Sequence, residues 1–174
     1  MNESTDPAIP VAELLARKVS YFASVHETSP SQAMTVGGVL DAIRDGRWRE
    51  PMEAMRADFR EGRQADYKAK KEALPAVTFS GVFDRRANDG LRTHSGLLCL
   101  DFDDLGARLP NARRAIHADA HTLAVFVSPS GNGLKVLVPI AATDTEGHRR
   151  CFDAAAAHFR GLGFEADPHC RDVA

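Results

Sequence analysis

The chain has 174 residues, 44% hydrophobic and 26% charged, with 22 Lys and Arg against 24 Asp and Glu for a formal net charge of -2 at pH 7. That length supports one domain with a substantial core, and the composition excludes long disordered tracts. The near balance of charge excludes a global basic field, so any nucleic-acid contact has to come from a local patch.

Residues 1–17 begin with the polar, Pro-containing "MNESTDPAIP" and are expected to be a loose lead-in, with order starting near Val11 and a single domain over 18–174. "KVSYFASV" (Lys18 to Val25) has the β-branched and aromatic content of a strand, and "HETSPSQA" after it has the residues of a loop. From Thr35, a candidate cap, Val39, Leu40 and Ile43 share one helical face and Gly46 ends the pattern. A second helix is predicted from Pro51 to Arg60 with Met52, Met55 and Phe59 inward. "GRQADYKAKKEALP" (Gly62 to Pro75) is the most basic helical stretch; it reads either as a solvated helix face or as a local cationic patch built on Lys68, Lys70 and Lys71.

After Pro75 the period changes. "AVTFSGVF" (Ala76 to Phe83), "SGLLCLDFD" (Ser95 to Asp103), "HTLAVFVSPS" (His121 to Ser130) and "GLKVLVPI" (Gly133 to Ile140) are predicted strands, the last two joined tightly enough to form an antiparallel hairpin. "PNARRAIHAD" is helical with Pro110 in its first turn, and "TEGHRRCFDAAAAHFRGLG" (Thr145 to Gly163) is an alanine-rich helix with Phe152, Ala155, Ala156 and Phe159 inward. The order predicts an α+β fold: a mixed or antiparallel sheet with helices packed on one face, preceded by a helical N-terminal part.

Cys99, Cys151 and Cys170 match no zinc or redox spacing, which predicts reduced, structural thiols and a cytoplasmic location. No apolar run reaches about 18 residues and no charged-then-apolar leader occurs, so neither a membrane span nor a secretory signal is expected.

The second strand runs straight into three aspartates, "LLCLDFDDLG". Side chains alternate along a strand, so Asp101 and Asp103 share one side while Phe102 joins Leu98 and Leu100 on the other. Two adjacent carboxylates repel, and a divalent cation with oxygen ligands removes the repulsion. Capping of the following turn is the other reading of the same residues, with Asp104 as a loop or cap residue. In "SPSGNGLKV", Ser130, Gly131 and Gly133 make a turn whose backbone can approach an anion, and Lys135 follows on the next strand; an ordinary hairpin turn needs the same glycines. In "GFEADPHCRD", Asp167 can complete a three-carboxylate site if the segment adds a strand beside the acidic one. Asp172 competes for that place, and His169 with Cys170 lacks the second pair that a zinc site needs.

Taken in order, "LPAVTFSGVF", "HSGLLCLDFDDL", "SPSGNGLKVLV" and "GFEADPHCRDVA" resemble the catalytic core of the archaeo-eukaryotic primase (prim-pol) superfamily. They are most similar to the primase-like N-terminal domain of virulence-associated E (VirE) type proteins of phages and mobile elements, over residues from about Val19 onward. The resemblance implies an RRM-like primase-polymerase core and a DNA primase type nucleotidyltransferase that uses Mg²⁺ or Mn²⁺. It implies that Asp101, Asp103 and Asp167 bind catalytic metal, and that Ser130, Gly131, Gly133 and Lys135 hold the triphosphate of a nucleoside triphosphate. Many superfamily members have His where this chain has Lys135, which keeps the phosphate-binding role and removes an imidazole's proton transfer. Arg85, Arg86, Arg92, Lys68, Lys70 and Lys71 are candidates for contact with a single-stranded DNA template, and His94 is expected to be structural. The domain is expected to be truncated at its C-terminus and to precede a helicase-like module. The rival readings are a non-catalytic nucleotide- or nucleic-acid-binding module attached to such an ATPase and a metal-dependent nuclease; a small-molecule phosphotransferase is disfavoured by the lack of a Gly-rich strand-to-helix loop.

Overall fold

The structure, a computed structural model, describes residues 9–174. Residues 1–8 of the predicted lead-in lie outside the described residues; the rest of it holds a short helix, α1 (Val11–Ala16), that buries Leu14. The fold is α+β, and every strand pairing among the described residues is antiparallel.

β1 (Lys18–Phe22) is the middle strand of a first sheet. β2 (Gln32–Thr35) falls at the end of the segment read as a loop. Its partly exposed side chains show no apolar alternation, and the pairing comes from β1, whose Tyr21 carbonyl accepts the Ser31 N–H at 2.9 Å just before β2 begins. α2 (Val36–Arg44) starts at the predicted cap, where the Thr35 hydroxyl accepts the Gly38 amide at 3.1 Å. α3 (Arg49–Arg60) buries Met55 as expected, but Phe59 is 56% exposed and packs on the Tyr67 ring of the next helix. Asp58 takes the inward place, its charge offset by Arg63 and Lys70. α4 (Gln64–Glu72) buries nothing.

The predicted strand Ala76 to Phe83 is two strands in different sheets. β3 (Ala76–Thr78) joins β1, and β4 (Gly81–Phe83) pairs with β5 (Leu91–His94), a strand the sequence reading left out. The chain turns at Phe79 and Ser80, where the Phe79 carbonyl accepts the Ser95 hydroxyl and the Ser80 carbonyl accepts the Ser95 amide.

The third sheet has the order β6-β8-β7, formed by β6 (Leu97–Phe102), β7 (Ala124–Val127) and β8 (Leu134–Pro139). β7 and β8 form the predicted hairpin. Leu98, Leu100, Phe102, Leu134, Val136 and Val138 face α5 (Leu109–His117) and α6 (Thr145–Gly161), burying Ile116, Phe152 and Phe159. Phe102 sits edge-on to Phe159 with centroids 5.5 Å apart. α5 and α6 therefore cover this face, but helices are not confined to one face as expected, because α1 and α2 also pack on the other. The other face carries Leu97, Cys99 and Leu137 and is covered by α1, α2 and the first sheet through Leu14, Val19, Val36 and Val39.

At the start of β6, the partly exposed His94 and the buried His148 form a pair. The Nδ1 of His94 accepts the Gly96 amide at 2.9 Å, so its proton is on Nε2 and is donated to the Nδ1 of His148 at 3.0 Å. Burial, reinforced by His94, pushes His148 down to about 4, and burial also lowers His94. The unfolded chain therefore takes up a proton near pH 6.5 that the folded pair refuses, and stability is full above that pH and falls as pH drops toward 4. Urea titrations over this window are expected to show a loss on the order of 3 kcal/mol from His148, visible as the difference between the wild-type slope and a flatter His148→Gln slope. In the core, Phe102→Ala is expected to cost about 3–5 kcal/mol, whereas Phe59→Ala stays within about 1 kcal/mol by the same measurement.

Candidate functional site

Residues directly opposite in an antiparallel pair share a face, and β6 and β8 pair Asp101 with Lys135 and Phe102 with Leu134. The acidic strand end and the β7–β8 turn are thereby brought side by side. Lys135 lies on the central strand with its stem packed, and its ammonium donates to Asp101 Oδ2 at 2.5 Å. Burial, which alone would lower the Lys135 value, is outweighed by the Asp101 carboxylate that it pairs with, so the group titrates above an ordinary lysine and is a cation at neutral pH. The other oxygen of Asp101, Oδ1, is buried and has no hydrogen-bond partner.

Asp103 lies just past β6. Burial raises its value, and the charges of Asp101, Asp167 and Asp104 raise it further against the opposing pull of Lys135. Asp167 is brought in by main chain: its N–H donates to the Asp101 carbonyl at 2.8 Å. The segment is not a strand, as the three-carboxylate reading required, but a 3₁₀ turn over Pro168–Arg171 that Asp167 caps. Pro168 removes the amide that a continued ladder would need. Burial would raise Asp167, but the His169 amide at 2.9 Å and the His169 ring at 2.8 Å hold it below the usual range. Asp172 is engaged elsewhere, by Arg149. His169 is therefore turned to Asp167, and Cys170 and Cys99 are pushed by burial to about 11 and about 12, so both thiols stay protonated.

The turn itself is close-fitting. Gly131 has φ +82°, and a Cβ at Gly133 would lie 2.7 Å from the Phe102 carbonyl and 3.0 Å from Asp103 Oδ1, so only glycine lets the turn approach the strand end. Two of its amides are used internally: Gly131 donates to the Ser128 carbonyl at 2.9 Å and Asn132 to the Ser130 hydroxyl at 3.3 Å. Asn132 also ties the turn to the acidic loop, donating to Asp104, whose φ is +52°, and accepting the Leu105 and Gly106 amides. From behind, Arg56 of α3 donates to the Pro129 carbonyl at 2.8 Å and the Ser128 carbonyl at 3.2 Å. Sequence reasoning missed Arg56, since nothing separates it from the other arginines of an amphipathic helix. An apolar cavity of about 360 Å³ adjoins the cluster, with Trp48, Phe79, Phe126 and Pro129 among its walls and Lys135 as its charged group.

Most of the basic candidates are taken up by acidic partners. Arg85 pairs with Asp89, Arg92 with Asp84, Lys68 with Glu72 and Lys70 with Asp58; Lys71 is exposed, and Arg86 lies 5.8 Å over the Phe22 ring. The α4 lysines thus read as a solvated, paired helix face.

An all-oxygen donor set is the kind that hard divalent cations take, and the orphaned Asp101 Oδ1 beside Asp103 fits such an ion. Among the described residues, one trio of His, Cys, Asp or Glu side chains has all its ligand atoms within 4.8 Å of one another, and it is not the aspartates but Asp119, His121 and His158. Sequence reasoning weighed none of these three; an Asp-x-His step with a distant histidine is too common to single out.

Fold and site together define an antiparallel α+β domain with a carboxylate cluster and a glycine turn at one end of its central sheet. Residues 69–174 match the family model described as BT4734-like, N-terminal domain, and the chain belongs to that family. The matched region holds all three aspartates, the turn and Lys135, while Arg56 precedes it. No curated protein and no solved structure matches the chain. No helix among the described residues is long and apolar enough to cross a membrane.

Gly133→Ala is expected to cost about 1–3 kcal/mol by forcing the turn away from β6, measured by chemical denaturation.

Proposed function

We propose that this chain is a metal-dependent nucleotidyltransferase of the DNA primase type, a prim-pol domain related to those of VirE-like replication proteins, acting in the cytoplasm on nucleoside triphosphates and a single-stranded DNA template. The observation that carries the reading is the meeting of Asp101, Asp103 and Asp167 with Lys135 and the Ser128–Gly133 turn at one sheet end. Asp101 and Asp103 would hold Mg²⁺ or Mn²⁺, with Asp167 beside them. Bound there, the ion would neutralise charge where a 3'-hydroxyl displaces pyrophosphate from the α-phosphorus. Lys135 is paired with Asp101 and would move from it to the phosphates as metal takes its place. Ser130 offers a hydroxyl at the turn, and Arg56 fixes the turn's shape from its other side. The apolar cavity next to Lys135 has the aromatic walls that a nucleobase would pack against.

A second reading has an observation of its own. The Lys135–Asp101 ion pair already satisfies one carboxylate oxygen, as expected of a relative that binds nucleotide or nucleic acid for an attached helicase-like ATPase without making polymer.

Primer synthesis and extension on single-stranded DNA, with labelled nucleotides and Mg²⁺ or Mn²⁺, separates the two. For this chain or a longer natural chain that contains it, product is expected from wild type and is expected to fall at least ~100-fold in Asp101→Asn/Asp103→Asn. Wild type that binds nucleotide in a metal-dependent way yet makes no product supports the module; product that survives both substitutions removes the aspartates from the chemistry.

A further inference from the structure

On the helix-covered face of the third sheet, opposite the face of Asp101 and Lys135, the loop after α5 meets the last turn of α6. Asp119 is partly buried there, its side chain 12% exposed, with its two oxygens divided between two imidazoles: Oδ2 lies 2.8 Å from His158 Nε2, and Oδ1 lies 3.2 Å from His121 Nδ1. The His121 backbone N–H also donates to Oδ1 at 3.0 Å, which sets the loop's shape, and the two rings tilt toward each other with centroids 4.6 Å apart. We propose that Asp119, His121 and His158 form a binding site for a divalent transition-metal ion of the zinc class, joining the loop after α5 to the end of α6.

Three things carry this. The first is geometry: all three ligand atoms lie within 4.8 Å of one another, and around a tetrahedral ion with bonds near 2.0–2.1 Å they would sit roughly 3.3 Å apart, within reach of small side-chain rotations. The second is donor type. Two imidazoles with one carboxylate suit zinc, copper or nickel, whereas magnesium prefers oxygen alone, so this trio and the aspartate cluster would select different ions. The third is access: His121 and His158 are 65% and 37% exposed and line a cavity of about 320 Å³ with Cys151, Ile140 and Phe159, which leaves a fourth coordination position open to water or a small ligand. Without an ion, the His158 ring nitrogen donates to Asp119. On binding, that nitrogen turns its lone pair to the metal and carries its proton on the other ring nitrogen, while the carboxylate is ionised throughout. A trio that is only hydrogen-bonded would bind no ion.

The test is a Zn²⁺ titration of the untagged chain against a chromophoric chelator, repeated with Co²⁺ to read coordination from its visible spectrum. Wild type and Asp101→Asn/Asp103→Asn are each expected to take up one equivalent of Zn²⁺ that excess Mg²⁺ does not displace. His121→Ala and His158→Ala are expected to bind at least ~10-fold more weakly and to lose the tetrahedral Co²⁺ bands. Circular dichroism checks folding, and should His158→Ala misfold, the exposed His121→Ala carries the comparison. Failure of wild type to bind, undiminished binding in the histidine variants, or loss of the ion only in the aspartate variant would each overturn the site.

Discussion

β8 is bonded on both sides, to β6 along Leu97 to Phe102 and to β7 along Ala124 to Val127, and the placement of almost every other feature follows from that register. Alternation sends Leu134, Val136 and Val138 to the helices and leaves Lys135 and Leu137 for the opposite face. A slip of one residue would drive the Lys135 ammonium toward Phe159 and Ile116 and turn Leu134 toward the carboxylates, so burial on both faces defends a single pairing. The core and the charge cluster are in this sense one arrangement seen from two sides of a strand.

Such a cluster works against folding. Three carboxylates within mutual influence repel, and at Asp103 that repulsion adds to burial in raising the carboxyl. The chain offsets it with individual partners: Lys135 for Asp101, the His169 amide and ring for Asp167, and Asn132 for Asp104, which keeps a left-handed backbone conformation that few residues other than glycine adopt. One buried oxygen of the cluster, Asp101 Oδ1, remains without any. Buried polar atoms are nearly always paired, so an unpaired one amid carboxylates is where a ligand has the most to contribute.

Local patterns made much of this legible. The Thr35 cap, the β7–β8 hairpin, the alternation of β6 and the inward face of α6 all follow from side-chain chemistry within a few residues. What escaped depends on distant partners. β2 and β5 have weak strand patterns and exist because β1 and β4 offer edges, and Phe79–Ser80 turns because Ser95 takes its carbonyls. Phe59 looked like a core residue by spacing, yet Asp58 with two cations displaced it. Within the site, Asp101, Asp103 and the glycines stood out by their pattern. Asp167 was named as the third carboxylate on the expectation of an added strand, and it reaches the cluster instead through a main-chain bond at a 3₁₀ turn. Arg56 and the Asp119 trio were silent, since single polar residues acquire meaning only when the fold gives them neighbours.

The family match begins inside α4, whereas the cover over one face of the third sheet is made by α1, β1 and α2 and the turn is braced by Arg56. A segment cut at the family boundary would bare Leu97, Leu137 and Phe126 as one contiguous apolar surface and free two turn carbonyls from their cation. Such a surface favours self-association over a folded monomer. The stretch before residue 69 is in effect a built-in solubiliser of the family core, and variation there would tune how rigidly the glycine turn is held without altering any residue that faces the carboxylates.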